Sequence, residues 1–183
     1  DIYGLTDENV VEDRVDARKL LSPSRFDLFA KLYYVRRRDE DRREAESVYK
    51  AHIKAFNPDL KEPGRDDKAG YGDFISTFDT LIDELGKDEF DASRSLVPIT
   101  ENGIILDGAH RVAALAFYGK QVGVARCNGV VPKASFDYAY FRDRGLSWSI
   151  SDVIANEMVM SVPNMYGACL WPKMKDKSQA VSL

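Results

Sequence analysis

The segment from Ile104 to Gly119 constrains this chain more than any other. An apolar triplet, Ile104-Ile105-Leu106, runs directly into Asp107-Gly108-Ala109-His110-Arg111. The helical pattern Val112, Ala113, Leu115 and Ala116 follows, and Gly119 stops it. Such a strand–turn–helix buries apolar residues on both sides of a glycine turn, which requires a sheet with a helix laid on it. The segment just before it, Leu96-Val97-Pro98-Ile99, reads as a strand. Thr100-Glu101-Asn102-Gly103 then reads as a hairpin turn, with Ile104–Leu106 as the returning strand. Gln121 to Cys127, rich in Val, reads as another strand.

Helices are expected on either side. Ser22 or Ser24 is placed to cap a helix through Arg25 to Tyr34. The charge-dense run from Arg36 to Glu44 alternates in sign, and Asp39/Arg43, Arg42/Glu46 and Glu46/Lys50 stand four apart. This is the pattern of the solvated face of a helix whose dry side holds Ala45, Val48, Tyr49, His52 and Phe56. Asn57 to Gly72 reads as a long loop, a crossover or a lid. Asp73 is expected to cap an amphipathic helix carrying Phe74, Phe78, Leu81, Ile82 and Leu85 and ended by Gly86. A short helix is expected within Phe136–Arg144, another from a capping box at Ser149–Asp152 to about Met160, and a final strand over Met165–Trp171. The sum is an α+β (mixed α/β) domain, a small mixed sheet flanked by helices. Residues 1–22 form a weakly patterned lead-in, 23–162 the domain, and 163–183 a final strand and tail. The four Met residues all fall at or after Met158, which suggests a piece cut from a longer protein, with the last strand opening a further domain.

Composition narrows the function classes. The 183 residues carry 26 Lys and Arg against 30 Asp and Glu, a net charge of −4, which disfavours a nucleic-acid grip. No apolar run approaches the ~20 residues of a membrane span. Two cysteines, Cys127 and Cys169, make no disulfide framework, so the expected compartment is the cytoplasm. Neither they nor the two His residues have zinc-ligand spacing. Cys127 reads as a buried structural thiol, His52 as a hydrogen-bonded core residue, and the cluster Tyr138, Tyr140 and Phe141 as core.

Asp107–Arg111 is where chemistry concentrates. Gly108 lets a ligand approach the backbone. The first N–H groups of the following helix, from Ala109 onward, lack intrahelical partners and sit at the positive end of its dipole, so the turn suits an anion. His110 and Arg111 add two side-chain donors, Arg111 with a fork that matches phosphate. Asp107 places a carboxylate alongside, suited to a magnesium ion or to accepting a proton. A turn in which Asp107 caps the helix and Arg111 pairs with an acid fits the same letters.

In element order and wording, about residues 78 to 127 resemble the ParB/sulfiredoxin superfamily. The likeness is concentrated in Val97-Pro98-Ile99 and in Gly103-Ile104-Ile105-Leu106-Asp107-Gly108-Ala109-His110-Arg111-Val112-Ala113-Ala114. The resemblance implies a turn that holds nucleotide phosphates, with Gly108, His110 and Arg111 as ligands. Members include CTP-binding partition proteins, ATP-using sulfiredoxins and kinases of free serine. Ala109 stands where sulfiredoxins carry the reactive Cys. His110-Arg111 departs from the Gly-Glu-Arg-Arg of the partition proteins and is most similar to the kinase branch. There the resemblance implies a catalytic carboxylate shortly after a Pro. The nearest match is Leu20-Leu21-Ser22-Pro23-Ser24-Arg25-Phe26-Asp27, so Asp27 and Asp107 are rival bases, with Lys31 one turn beyond Asp27. Phe26-Asp27, Lys31, Phe78, Asp83 and Phe90-Asp91 are further similar to ParB-like domains of bacterial proteins for surface glycans and polysaccharide biosynthesis. The expectation is a kinase using ATP or ADP with Mg2+ on a sugar, glycan or small-metabolite hydroxyl. The alternatives are a nucleotide-sensing or interaction module, or a ParB-type DNA-binding regulator.

Overall fold

The computed structural model describes residues 10–60, 70–87, 96–132 and 134–167. A three-stranded sheet is formed by β1 (Val10–Asp16), β2 (Val97–Thr100) and β3 (Gln121–Cys127) in the order β1-β3-β2. β3 is central. It pairs antiparallel with β1, Val10 opposite Cys127, and parallel with β2, Val97 opposite Val124. The α+β architecture follows from this mixed sheet and, among the described residues, six helices: α1 (Asp27–Arg37), α2 (Arg42–Phe56), α3 (Tyr71–Gly86), α4 (Ala109–Phe117), α5 (Tyr138–Asp143) and α6 (Trp148–Ser161).

Residues 10–22 of the expected lead-in are therefore part of the domain, while 1–9 lie outside the described residues. Val10–Asp16 is an edge strand. A short 3-10 turn, Ala17–Leu20, then buries Ala17 and Leu20 against α4. The expected return strand is reduced to a single bridge between Ile99 and Ile105, with Leu106 N–H donating to the Pro98 carbonyl at 2.8 Å. Residues 165–167 form no strand; the rest of the expected final strand, Cys169 and Trp171 lie outside the described residues, as do 61–69 of the long loop.

α1 is the hub, packed against α2, α4 and α6. It is almost wholly buried, through Leu28, Phe29, Ala30, Leu32, Tyr34 and Val35. Its start is set by tertiary contact, Phe26 N–H donating to the Phe136 carbonyl at 2.8 Å, while Ser22 and Ser24 bond each other instead of capping it. α2 opens at Asp41, whose carboxylate accepts from Glu44 N–H. The charge-dense run divides. Glu46 pairs with Arg42 and Lys50 on the wet face as expected, at 2.7 Å each. Arg38 and Arg42 instead reach across to Asp79 on α3, which also accepts from the Tyr34 hydroxyl at 2.8 Å. α3 starts after Gly70, and Asp73 sits inside its first turn, accepting from Gly70 N–H at 3.0 Å. α6 is capped by Ser147, two residues before the expected position, and its buried Glu157 takes a forked contact from Arg36 of α1. Among the described residues no helix is long and apolar enough to cross a membrane.

Candidate functional site

α4 links the parallel strands β2 and β3, but the chain first turns back alongside β2, so the N-terminus of α4 lies beside Val97 at the start of that strand. The bridge at Ile105 holds the approach, and the next side chains emerge at the surface: Asp107 is exposed. Gly108 adopts φ +81°, and a Cβ built there would lie 3.0 Å from Val97 Cγ2. Two independent reasons thus require glycine, a left-handed backbone and close approach to β2. α4 begins at Ala109, with Val112 N–H closing the first turn on the Gly108 carbonyl at 3.0 Å. As N-cap, Gly108 supplies no side-chain acceptor. The Asp107 carboxylate accepts from Gly108 N–H at 2.6 Å, so it folds back beside the helix start without capping it. The initial amides and the dipole favour an anion there.

His110 and Arg111 leave this start half-buried. His110 is held by tertiary neighbours. Its Nε2 lies 2.7 Å from the Tyr49 hydroxyl on α2, and Phe78 of α3 meets its ring edge-on at 4.7 Å. Burial lowers the Arg111 guanidinium from its ordinary value, opposed by the carboxylate of Asp107. An arginine in that setting remains a cation and gains from a second anion.

Asp27 occupies a different environment. It is 1% exposed, and Arg25 donates to it twice, Nε to Oδ1 at 2.8 Å and Nη2 to Oδ2 at 2.9 Å. Lys31 adds Nζ to Oδ2 at 3.0 Å. Burial alone would raise its carboxyl, but the Lys31 charge and the Arg25 hydrogen bonds outweigh that and hold it well below the usual carboxylate range. A carboxylate so placed is a poor proton acceptor. Lys31, 4% exposed, is likewise no solvated lysine. His52 packs nearby among Phe141, Phe56 and Tyr49, fully buried as expected but with neither ring nitrogen hydrogen-bonded. Burial and then Lys31 push its pKa well below the ordinary value.

The fold therefore gathers Asp107, Gly108, Ala109, His110 and Arg111 on one surface turn and places Asp27 in a buried ion-pair cluster. The two are joined through Arg25, whose Nη1 donates to the Ile105 carbonyl two residues before Asp107. Asp27 supports the turn from beneath; of the two expected bases, the exposed one is Asp107. Among the described residues no group of three or more His, Cys, Asp or Glu side chains stands where it could hold a metal ion. Asp107 can contribute one ligand, which fits Mg2+ shared with phosphate oxygens and water. Sequence reasoning missed Tyr49 and Arg25 as parts of the site's support. Tyr49 appears only as one apolar-face residue of α2, and no local signal ties it to a residue 61 positions away. Cys127 is buried, and Phe141 is core with Tyr138 and Tyr140 packed against it. Trp148 is exposed beneath the Arg142 guanidinium.

The chain matches no family model, no curated protein and no solved structure.

Proposed function

We propose that this chain is a nucleotide-dependent phosphotransferase acting on a hydroxyl of a sugar, glycan or small metabolite, with the phosphates of ATP or ADP held at Asp107–Arg111. One observation carries the reading: an exposed carboxylate folded back beside a helix start that has no side-chain cap, with His110 and Arg111 in the same turn. The resemblance of residues 78–127 to the kinase branch of the ParB/sulfiredoxin superfamily supports it. In this reading the amides from Ala109 onward and the Arg111 guanidinium hold phosphate oxygens and stabilise the charge that develops during transfer. Gly108 admits the phosphate to the backbone. His110 adds a donor. Asp107 takes the proton from the acceptor hydroxyl as the new P–O bond forms and the bond to the leaving nucleotide breaks. Mg2+, when bound with the nucleotide, offsets phosphate charge, and Asp107 is the residue here able to ligate it.

The test is phosphate transfer from ATP or ADP, with Mg2+, across a panel of hydroxylated acceptors. Product formation that disappears in Asp107→Asn while nucleotide binding persists is the expected result. Nucleotide bound and left intact on every acceptor would assign a sensing module instead. Duplex DNA affinity falling steeply with salt would assign a DNA-binding regulator.

A further inference from the structure

The outer edge of the sheet carries charges in an order that complements itself. β1 is bonded on one side, to β3, and among the described residues no strand lies beyond it. The ladder fixes the direction of its backbone groups. Ala17 N–H donates to the Lys120 carbonyl at 3.1 Å, continuing the register that sets Asp16 opposite Gln121. Hydrogen-bonded pairs alternate along an antiparallel ladder, so Val11, Asp13 and Val15 also bond toward β3. Val10, Glu12, Arg14 and Asp16 then turn their N–H and C=O groups outward. Arg14 agrees with this, since its N–H donates to the carboxylate of its neighbour Asp13 at 2.7 Å. Glu12, Asp13 and Arg14 are exposed, and Val11 is 53% exposed.

We infer that this edge pairs with the same edge of a second copy, antiparallel about a two-fold axis at Asp13, joining two three-stranded sheets into one. A two-fold interface sets residue i against j and j against i. About Asp13, Glu12 faces Arg14 and Val10 faces Asp16, each twice. All four are outward residues, so main-chain hydrogen bonds and two Glu–Arg pairs form in the same register. Val11 meets Val15 between them and is withdrawn from water. Axes at Glu12 or at Arg14 lose both Glu–Arg pairs. Asp13 meets itself, and Arg126, with Nη2 3.8 Å from its carboxylate, offsets that repulsion in each copy. An edge charged with one sign would repel its own copy, the usual protection of an open strand. Glu12 and Arg14 instead make this edge attractive to itself.

The test uses the full chain. Sedimentation equilibrium should show monomer and dimer in exchange. Glu12→Arg and Arg14→Glu each set like charges opposite one another twice, and each should raise the dimer dissociation constant about tenfold. The double variant Glu12→Arg/Arg14→Glu restores the pairs with their signs exchanged and should return close to wild type. Amide hydrogen exchange gives an independent readout, with Glu12 and Arg14 N–H groups gaining protection as concentration rises. A wild type that stays monomeric at millimolar concentration overturns the inference. So does a dimer indifferent to both single reversals, which would lie on another surface. Edge amides protected equally at every concentration would overturn it too, because the edge would then be filled from within the chain. Should a single reversal not fold by circular dichroism, the double variant and the wild-type exchange decide.

Discussion

Arg25 and Asp27 face each other through two parallel hydrogen bonds of 2.8 and 2.9 Å, with side chains 6% and 1% exposed. Lys31, one turn along α1, completes a buried cluster of two cations and one carboxylate. Removing one member of such a pair leaves uncompensated buried charge, at a cost of about 3–5 kcal/mol. Asp27→Asn should therefore lower the urea midpoint steeply. A variant as stable as wild type would show that the cluster contributes little. The same carboxyl titrates well below its ordinary value when folded. Its stabilising contribution should be complete above the unfolded carboxylate pKa, about 3.9, and be lost as pH falls through the folded value.

His52 shifts stability in the same direction, in a separate and higher pH window. The groups facing it are Lys31, Asp27 and Arg25, with the rings of Phe56, Phe141 and Tyr49 around it. Burial and the nearby cations keep the folded imidazole neutral, whereas the unfolded one takes up a proton near its ordinary pKa of about 6.5. Stability is thus full above that pH and declines as pH drops below it, because the unfolded state binds the extra proton. His52→Phe replaces ring with ring and should flatten urea midpoints measured from pH 8 down to pH 5. Equal slopes in the two proteins would remove His52 as the cause.

Gly108 is constrained by its dihedral and by Val97. Gly108→Ala should cost about 1–2 kcal/mol from the left-handed backbone alone, before any contact is counted. The added methyl would stand 3.0 Å from Val97 Cγ2, so a second component should couple the two sites. In a double-mutant cycle with Val97→Ala, the pair should be less destabilised than the sum of the singles. Strict additivity would place the whole cost in the backbone.

Arg111 and Asp107 should separate binding from turnover. Arg111→Ala is expected to weaken nucleotide binding by about 1.5–3 kcal/mol, the range for a hydrogen bond to a charged group. Calorimetry showing unchanged affinity would remove the guanidinium from the site. Asp107 is exposed, so Asp107→Asn should stay within about 0.5 kcal/mol of wild-type stability while abolishing transfer.

Much of the frame was legible locally. β3 matches its expected limits, Gln121–Cys127. The α4 turn was marked by a glycine between an apolar triplet and a 3.6-residue repeat, and α3 by its apolar stripe. β1 escaped notice because Glu12, Asp13 and Arg14 stand in succession on an exposed edge, where nothing enforces alternation. The start of α1 was misplaced because a carbonyl from Phe136 substitutes for a side-chain cap. The return arm after Gly103 kept the apolar residues of a strand but made one bridge, with Ile105 buried in the core and Ile104 and Leu106 only half-buried.

For the site the division is cleaner. Glycine's permissive backbone and the orphan amides of a helix start are properties of a few consecutive residues, so the turn and helix start at Asp107–Arg111, and its candidacy as an anion site, could be read from the letters alone. Which carboxylate is exposed, and which nitrogen of His110 is tied, depend on burial and on partners far along the chain. Asp27 and Asp107 are the same amino acid. What separates them is that one lies among Arg25, Lys31 and packed aromatic rings, while the other faces water, and that distinction exists only once the helices have come together.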